Sequence, residues 1–187
     1  MNKRRTIPYL ALLVTFLLWV YFKPEVDPPS LPKHHPSYIA DDVLSNHYDQ
    51  FGFNDYRIFA DKMESYPEKE ISLFELPKVI FNTKDEITDV ITTWQLTSDK
   101  GILKQKDTLL LSGNVLIENL SKDQLIQTMV TNKATITLDK KEITSKSKVT
   151  WRGPQIQQEG VGMWISMVTK EMTLNSNIKA IYLNEPK

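Results

Sequence analysis

The sequence predicts an all-β domain of layered antiparallel strands behind one apolar N-terminal segment. Three observations carry that expectation. Apolar and polar residues alternate from Tyr38 onward, a short Asp-Lys phrase recurs along the chain, and residues 6–22 hold no charge. Alternation at period two is the signature of strands with one buried face.

The uncharged run, TIPYLALLVTFLLWVYF, is bounded by Arg5 and Lys23. As a helix it spans roughly 25 Å, against a hydrocarbon core about 30 Å thick, so the flanking charges reach outward to the interfaces. Trp19, Tyr21 and Phe22 sit where an interfacial aromatic belt belongs, and Lys3, Arg4 and Arg5 keep the N-terminus cytoplasmic. Pro8 falls in the first turn, where a missing N–H costs little. The stretch ends Trp-Val-Tyr-Phe-Lys-Pro without the small residues of a cleavage site, so it reads as an uncleaved anchor rather than a signal peptide. The predicted organisation is a basic tail (1–5), a transmembrane anchor (6–22), a linker (23–36) and a domain outside the cytoplasm (37–187). Pro24, Pro28, Pro29, Pro32 and Pro36 make the linker an extended, stiff spacer. His34 and His35 lie within it and read as solvated residues, with no third ligand nearby for a metal.

Within the domain, Leu109, Leu111, Gly113, Val115 and Ile117 share one face. Ala134, Ile136 and Leu138 share another, as do Met163, Ile165 and Met167, and Tyr56, Ile58 and Ala60. Residues 38–46 could instead form a short helix. The Asp-Lys phrase places Lys62, Lys100, Lys133 and, more weakly, Lys170 at intervals of 33 to 38 residues. Each phrase reads as a strand, a polar corner and a second strand. Repetition on this scale suggests stacked β-layers. The Asp-Lys pairs read as corner residues, not as catalytic ones.

Composition excludes several functions. There is no cysteine, hence no disulfide scaffold, thiolate site or lipidated cysteine. Phosphate loops, dinucleotide fingerprints, nucleophile elbows and HExxH are absent, so neither enzyme chemistry nor a cofactor is expected. The 23 cationic and 23 anionic side chains cancel overall. Lys3, Arg4, Arg5, Lys23 and Lys33 oppose only Glu25 and Asp27 before Tyr38, which leaves 18 cationic and 21 anionic groups beyond it, net −3. A domain of that sign repels nucleic acid.

What remains is a surface or groove function. Two β-layers can pack shut or stay open along one side as an apolar trough suited to acyl chains. Ile58, Phe74, Leu96, Leu111, Ile117, Ile136 and Met167 are the side chains expected to line such a trough. The alternative is that they form an ordinary sandwich core.

Several ordered phrases extend this reading. Pro36-Ser37-Tyr38 opens the domain, and Tyr48-Asp49-Gln50-Phe51-Gly52 precedes Tyr56-Arg57-Ile58 and Ala60. Leu76-Pro77 precedes a strand ending Phe81-Asn82, and Thr93-Trp94 precedes the second Asp-Lys corner. Leu111-Ser112-Gly113-Asn114-Val115, Thr131-Asn132 with Ala134, and Val149-Thr150 with Gly153 complete the series. With the anchor and spacer in front, the chain resembles the LptC family of lipopolysaccharide export proteins over nearly its whole length.

The resemblance implies an open twisted β-jelly-roll with one N-terminal transmembrane helix, anchored in the inner membrane with its domain in the periplasm. It implies lipopolysaccharide received from an inner-membrane ABC transporter and passed to the next periplasmic jelly-roll, with acyl chains in the trough. It adds Val43, Phe74, Met172 and Tyr182 as lipid-contacting positions. It gives Gly52 and Gly153 as glycines of the partner interface, where positive φ or close backbone approach is needed. Residues 38–52 are expected to meet the transporter and residues 173–183 the next bridge protein. The alternative function is a membrane-tethered periplasmic β-scaffold that binds only proteins during envelope assembly.

Overall fold

The computed structural model describes residues 35–85 and 88–182. The expected basic tail and anchor, and nearly all of the linker, lie outside the described residues. Among the described residues no helix is long and apolar enough to cross a membrane.

Within the described residues eleven strands form one antiparallel sheet: β1 (Tyr38–Tyr48), β2 (Asn54–Tyr66), β3 (Ile71–Glu75), β4 (Lys78–Lys84), β5 (Ile91–Thr97), β6 (Lys100–Lys104), β7 (Thr108–Asn119), β8 (Thr128–Thr137), β9 (Glu142–Arg152), β10 (Ile156–Ser166) and β11 (Met172–Tyr182). Between β2 and β3, Pro67–Lys69 makes one 3-10 turn. Residues 38–46 are strand rather than helix, because β1 pairs with β2 from Tyr38↔Ser65 to Tyr48↔Asn54. Long-range pairing overrides a weak local helical pattern.

The chain is a meander folded across its own middle. β3 and β4 are two halves of one strand, broken at Leu76-Pro77, and β5 and β6 are halves of the next, broken at Ser98-Asp99. Accordingly β2 pairs with β4 through Tyr56–Phe59 and with β3 through Lys62–Tyr66. Likewise β7 pairs with β6 through 108–112 and with β5 through 116–119. The remaining long strands kink at the same level. Register shifts fall between Ser112/Val115, Thr131/Thr135, Val161/Met163 and Glu159/Val161. Positive φ marks this spine at Asp42, Leu76, Gly113, Asn114, Gly162 and Asn177. Two leaves result. The first holds β4, β5 and the adjoining halves of the long strands; the second holds β3, β6 and the other halves.

The Asp-Lys phrase encodes the spine. Asp61-Lys62 lies mid-β2, Asp99-Lys100 between β5 and β6, and Asn132-Lys133 mid-β8. Asp99 also pins its neighbour: its carboxylate accepts from Asn114 Nδ2 at 2.9 Å and fills the space a side chain at Gly113 would need. The fourth phrase departs from this pattern, since Lys170 lies in the β10–β11 turn and Gly162 marks the spine in β10.

Alternation then buries both leaves against each other. In β7 Leu109, Leu111, Val115 and Ile117 are all buried, with Gly113 at the kink preserving the parity. In β8 the buried positions run Met129, Thr131, Ala134, Ile136, because the Asn132-Lys133 corner inserts one residue. The core between the leaves includes Val79, Phe81, Trp94, Leu96, Leu109, Ile136, Ile143 and Val149.

The leaves are staggered. Asp55, at the first-leaf end of β2, meets Lys141 of the second-leaf β8–β9 turn; Asp123, in the first-leaf β7–β8 loop, meets Lys170 of the second-leaf β10–β11 turn. First-leaf strands thus lie over second-leaf strands that come later in the chain. The first-leaf half of β11 and the second-leaf half of β1 therefore extend past the facing leaf, and both are largely exposed.

Candidate functional site

The candidate site is the space between the leaves and its two uncovered ends. The expected trough residues do come together. Leu96, Leu111, Ile117, Ile136 and Met167 are at most 1% exposed, Ile58 3% and Phe74 5%. They are brought together as a packed core with the leaves closed. Val43 and Met172 are partly buried and pack against that core from the edge strands.

Tyr182 is placed differently. It pairs with Ile156, whose side chain is buried, so it points to the inner face, yet it is 75% exposed. Residues directly opposed across antiparallel strands share a face. The exposure follows from the stagger, which leaves no second leaf opposite this half of β11. Ile178 and Ala180 lie on the same uncovered ledge. The period-two pattern gave no warning of it, because stagger is a property of the folded pair of leaves.

The N-terminal end carries the counterpart. A cleft of about 710 Å³ is lined by Tyr38, Ser65, Ile71, Leu103, Gln105 and Lys106 among others. Tyr38 opposes Ser65, so both face inward on the overhanging second leaf. Sequence reasoning missed Tyr38, Ile71 and Leu103. β1 is an exposed edge strand with little alternation to mark Tyr38, and β3 and β6 are five residues each, too short for a clear period.

The two glycines have distinct physical roles. Gly52 has φ +81° in the β1–β2 turn, where Phe51 and Phe53 N–H donate to Asp49 Oδ1 at 2.8 and 2.9 Å. Gly153 lies in the β9–β10 turn, where a Cβ would overlap the carbonyl oxygen of Leu125. It is a close-approach position within the domain.

Polar groups gather at the rim opposite the spine. Lys141 Nζ lies 2.6 Å from Asp55 Oδ1, both side chains 16% exposed. Asp123 accepts from Thr92 Oγ1 at 2.5 Å and from Asn119 Nδ2 at 2.8 Å, with Lys170 Nζ at 3.9 Å. Burial pushes the Asp123 carboxyl up, but these hydrogen bonds outweigh it and hold the group below the usual carboxylate range. Tyr56 stacks on His47 with ring centroids 4.6 Å apart. Burial raises its phenol, helped by Asp139, Asp55 and Asp107. Among the described residues no cluster of His, Asp and Glu could hold a metal ion. Asp55 is paired with Lys141 and Asp123 is hydrogen-bonded, and the wall of the interior is mostly apolar.

Comparison with known proteins supplies the family. The lipopolysaccharide export system protein LptC of Haemophilus influenzae is 26% identical over 199 residues, covering 97% of this chain and 95% of that protein. Its Escherichia coli K12 counterpart is 27% identical over 173 residues, covering 92% and 88%. The crystal structure of LptH, the LptA-homologous periplasmic component of the lipopolysaccharide transport device of Pseudomonas aeruginosa, overlaps 67% of this chain and 93% of its own. That likeness has a TM-score of 0.47 and 11% identity, too remote to add to the strand pairing above. The family described as "Lipopolysaccharide-assembly, LptC-related", whose members are not enzymes, matches residues 8–183, and the chain therefore belongs to the LptC family.

Proposed function

We propose that this chain is the bitopic inner-membrane member of a lipopolysaccharide transport bridge. Residues 6–22 anchor it with the N-terminus in the cytoplasm, and residues 23–36 hold the domain off the bilayer in the periplasm. The domain is a jelly-roll, open at its two edge strands, that receives lipopolysaccharide from an inner-membrane ABC transporter and passes it to the next periplasmic jelly-roll. Family membership across residues 8–183 is the observation that carries the reading. Two features of the domain support it.

The first is the interior. Most of the buried positions are apolar, including Ile58, Phe74, Leu96, Leu111, Ile117 and Ile136, and the buried polar ones are small or uncharged side chains such as Thr92, Thr131 and Ser145. Acyl chains entering between separated leaves would exchange water for that wall, worth about 0.8 kcal/mol per buried methylene. The second is the pair of edges. β1 pairs only with β2 and β11 only with β10 among the described residues, so each presents a free edge. Strand addition at such edges joins modules, and the overhanging ledges would continue the interior across the joint. β1 with Val43 and Gly52 is then the transporter side, and β11 with Met172 and Tyr182 the downstream side.

A second reading rests on one observation: Leu96, Ile117 and Ile136 have no exposed surface. A permanently closed sandwich would be a membrane-tethered β-scaffold that binds only proteins. Purification of the full-length chain from a lipopolysaccharide-producing cell separates the two. Co-purifying lipopolysaccharide is expected from the bridge; a lipid-free chain that still captures its protein neighbours would favour the scaffold.

A further inference from the structure

We propose that two ion pairs, Asp55–Lys141 and Asp123–Lys170, clasp the long side of the sandwich opposite the spine, and that lipid reaches the interior only when they part. This rests on the lipid-conducting reading above and assigns the control of that same site.

Each long strand crosses between leaves at the spine, so that side is held covalently. The opposite rim is two facing rows of turns. The β1–β2, β4–β5, β7–β8 and β9–β10 connections belong to the first leaf. The β2–β3, β6–β7, β8–β9 and β10–β11 connections belong to the second. Among the described residues, backbone hydrogen bonds at the rim run within a leaf. Leu138 N–H donates to Asp107 O and Met167 N–H to Lys141 O in the second leaf; Asn119 N–H donates to Gln127 O and Gln127 N–H to Arg152 O in the first. The two ion pairs cross from row to row.

Their geometry suits a clasp. Asp55 and Lys141 are each 16% exposed, so either charge left alone would be poorly solvated and the pair closes together. Asp123 is fixed by Thr92 and Asn119 and so presents its carboxylate to Lys170 from a rigid base. One row of the first leaf joins the two: Tyr56, next to Asp55, opposes Phe81 with rings 5.5 Å apart, Phe81 opposes Trp94, 1% exposed, and Trp94 opposes Asn119, which holds Asp123. With the clasps closed, no acyl chain passes these side chains. Opening the rim breaks no covalent bond and no backbone hydrogen bond of those named.

The test uses the full-length chain, which has no native cysteine. Asp55→Cys with Lys141→Cys, and Asp123→Cys with Lys170→Cys, are introduced together and bridged after folding with a short bis-maleimide. Azidophenylalanine replaces Phe81, behind the clasps, or Tyr182, on the uncovered ledge, and purified lipopolysaccharide in detergent is the lipid. Bridging is expected to abolish capture at position 81 and leave capture at 182 as in the unbridged chain. Undiminished capture at 81, or loss at both positions, overturns the clasp. Capture at neither position before bridging overturns the lipid-conducting reading itself. In an independent variant, Asp55→Asn with Lys141→Met, capture at 81 should be faster than in the parent; a rate no faster counts against the clasp.

Discussion

Gly153 offers the sharpest test of the packing. Its N–H donates to Ile156 O at 2.8 Å across the β9–β10 turn, and an added Cβ would run into the Leu125 carbonyl oxygen and sit 3.2 Å from the Leu125 carbonyl carbon. The obstacle is backbone, so the β7–β8 loop itself must move. That loop buries Ile126 to 5% exposure and is tied by Gln127 N–H to Arg152 O at 2.9 Å. Expelling an isoleucine costs about 1.5–3 kcal/mol, and one net backbone hydrogen bond adds about 1 kcal/mol. Partial relaxation brings the total to about 2–4 kcal/mol, or a fall in Tm of roughly 5–15 °C for a domain of this size. Because the overlap begins at Cβ, Gly153→Ala and Gly153→Arg should cost nearly the same. Thermal melts followed by tryptophan fluorescence on the full-length protein measure both. An alanine variant that melts with the parent while arginine falls would refute the reasoning and place the effect at the turn's outer surface.

Other predictions follow from single contacts. The buried indole N–H of Trp94 has no acceptor among the described side chains and backbone, so Trp94→Phe should shift the denaturation midpoint far less than the ~3–5 kcal/mol of a Trp→Ala truncation. Tyr182→Ala, on the uncovered ledge, should leave stability within about 0.5 kcal/mol by urea denaturation while weakening lipid capture. Asp123 is held below its unfolded value of about 4, so its stabilisation is complete above that pH and is lost as pH falls through the lower folded value. Urea midpoints at neutral and acid pH should show that loss in the parent and a shallower one in Asp123→Asn; equal slopes would contradict it.

Much of this was legible in the sequence, for physical reasons. Period-two alternation in Leu109–Ile117 and Ala134–Leu138 follows directly from one-sided burial, and the core it marks is the core observed. The Asp-Lys phrase marked real corners because a kink needs residues that tolerate an interrupted ladder. Its fourth occurrence is also a polar corner between two strands, but a hairpin turn rather than a spine kink, because the two ask for the same polar residues. β1 was ambiguous because an edge strand is exposed on both faces and carries little pattern. The rim was invisible in sequence. Asp55 and Lys141 are 86 positions apart, and only the stagger of the leaves brings them together.

The central claim is that the interior between the leaves carries lipid. Site-resolved photo-capture of lipopolysaccharide tests it most directly, with azidophenylalanine in place of Phe74 on the inner face and in place of Val130, which faces outward from β8 at 38% exposure. Capture at position 74 and none at 130 is the predicted result. Equal capture at both, or capture at 130 alone, would contradict it.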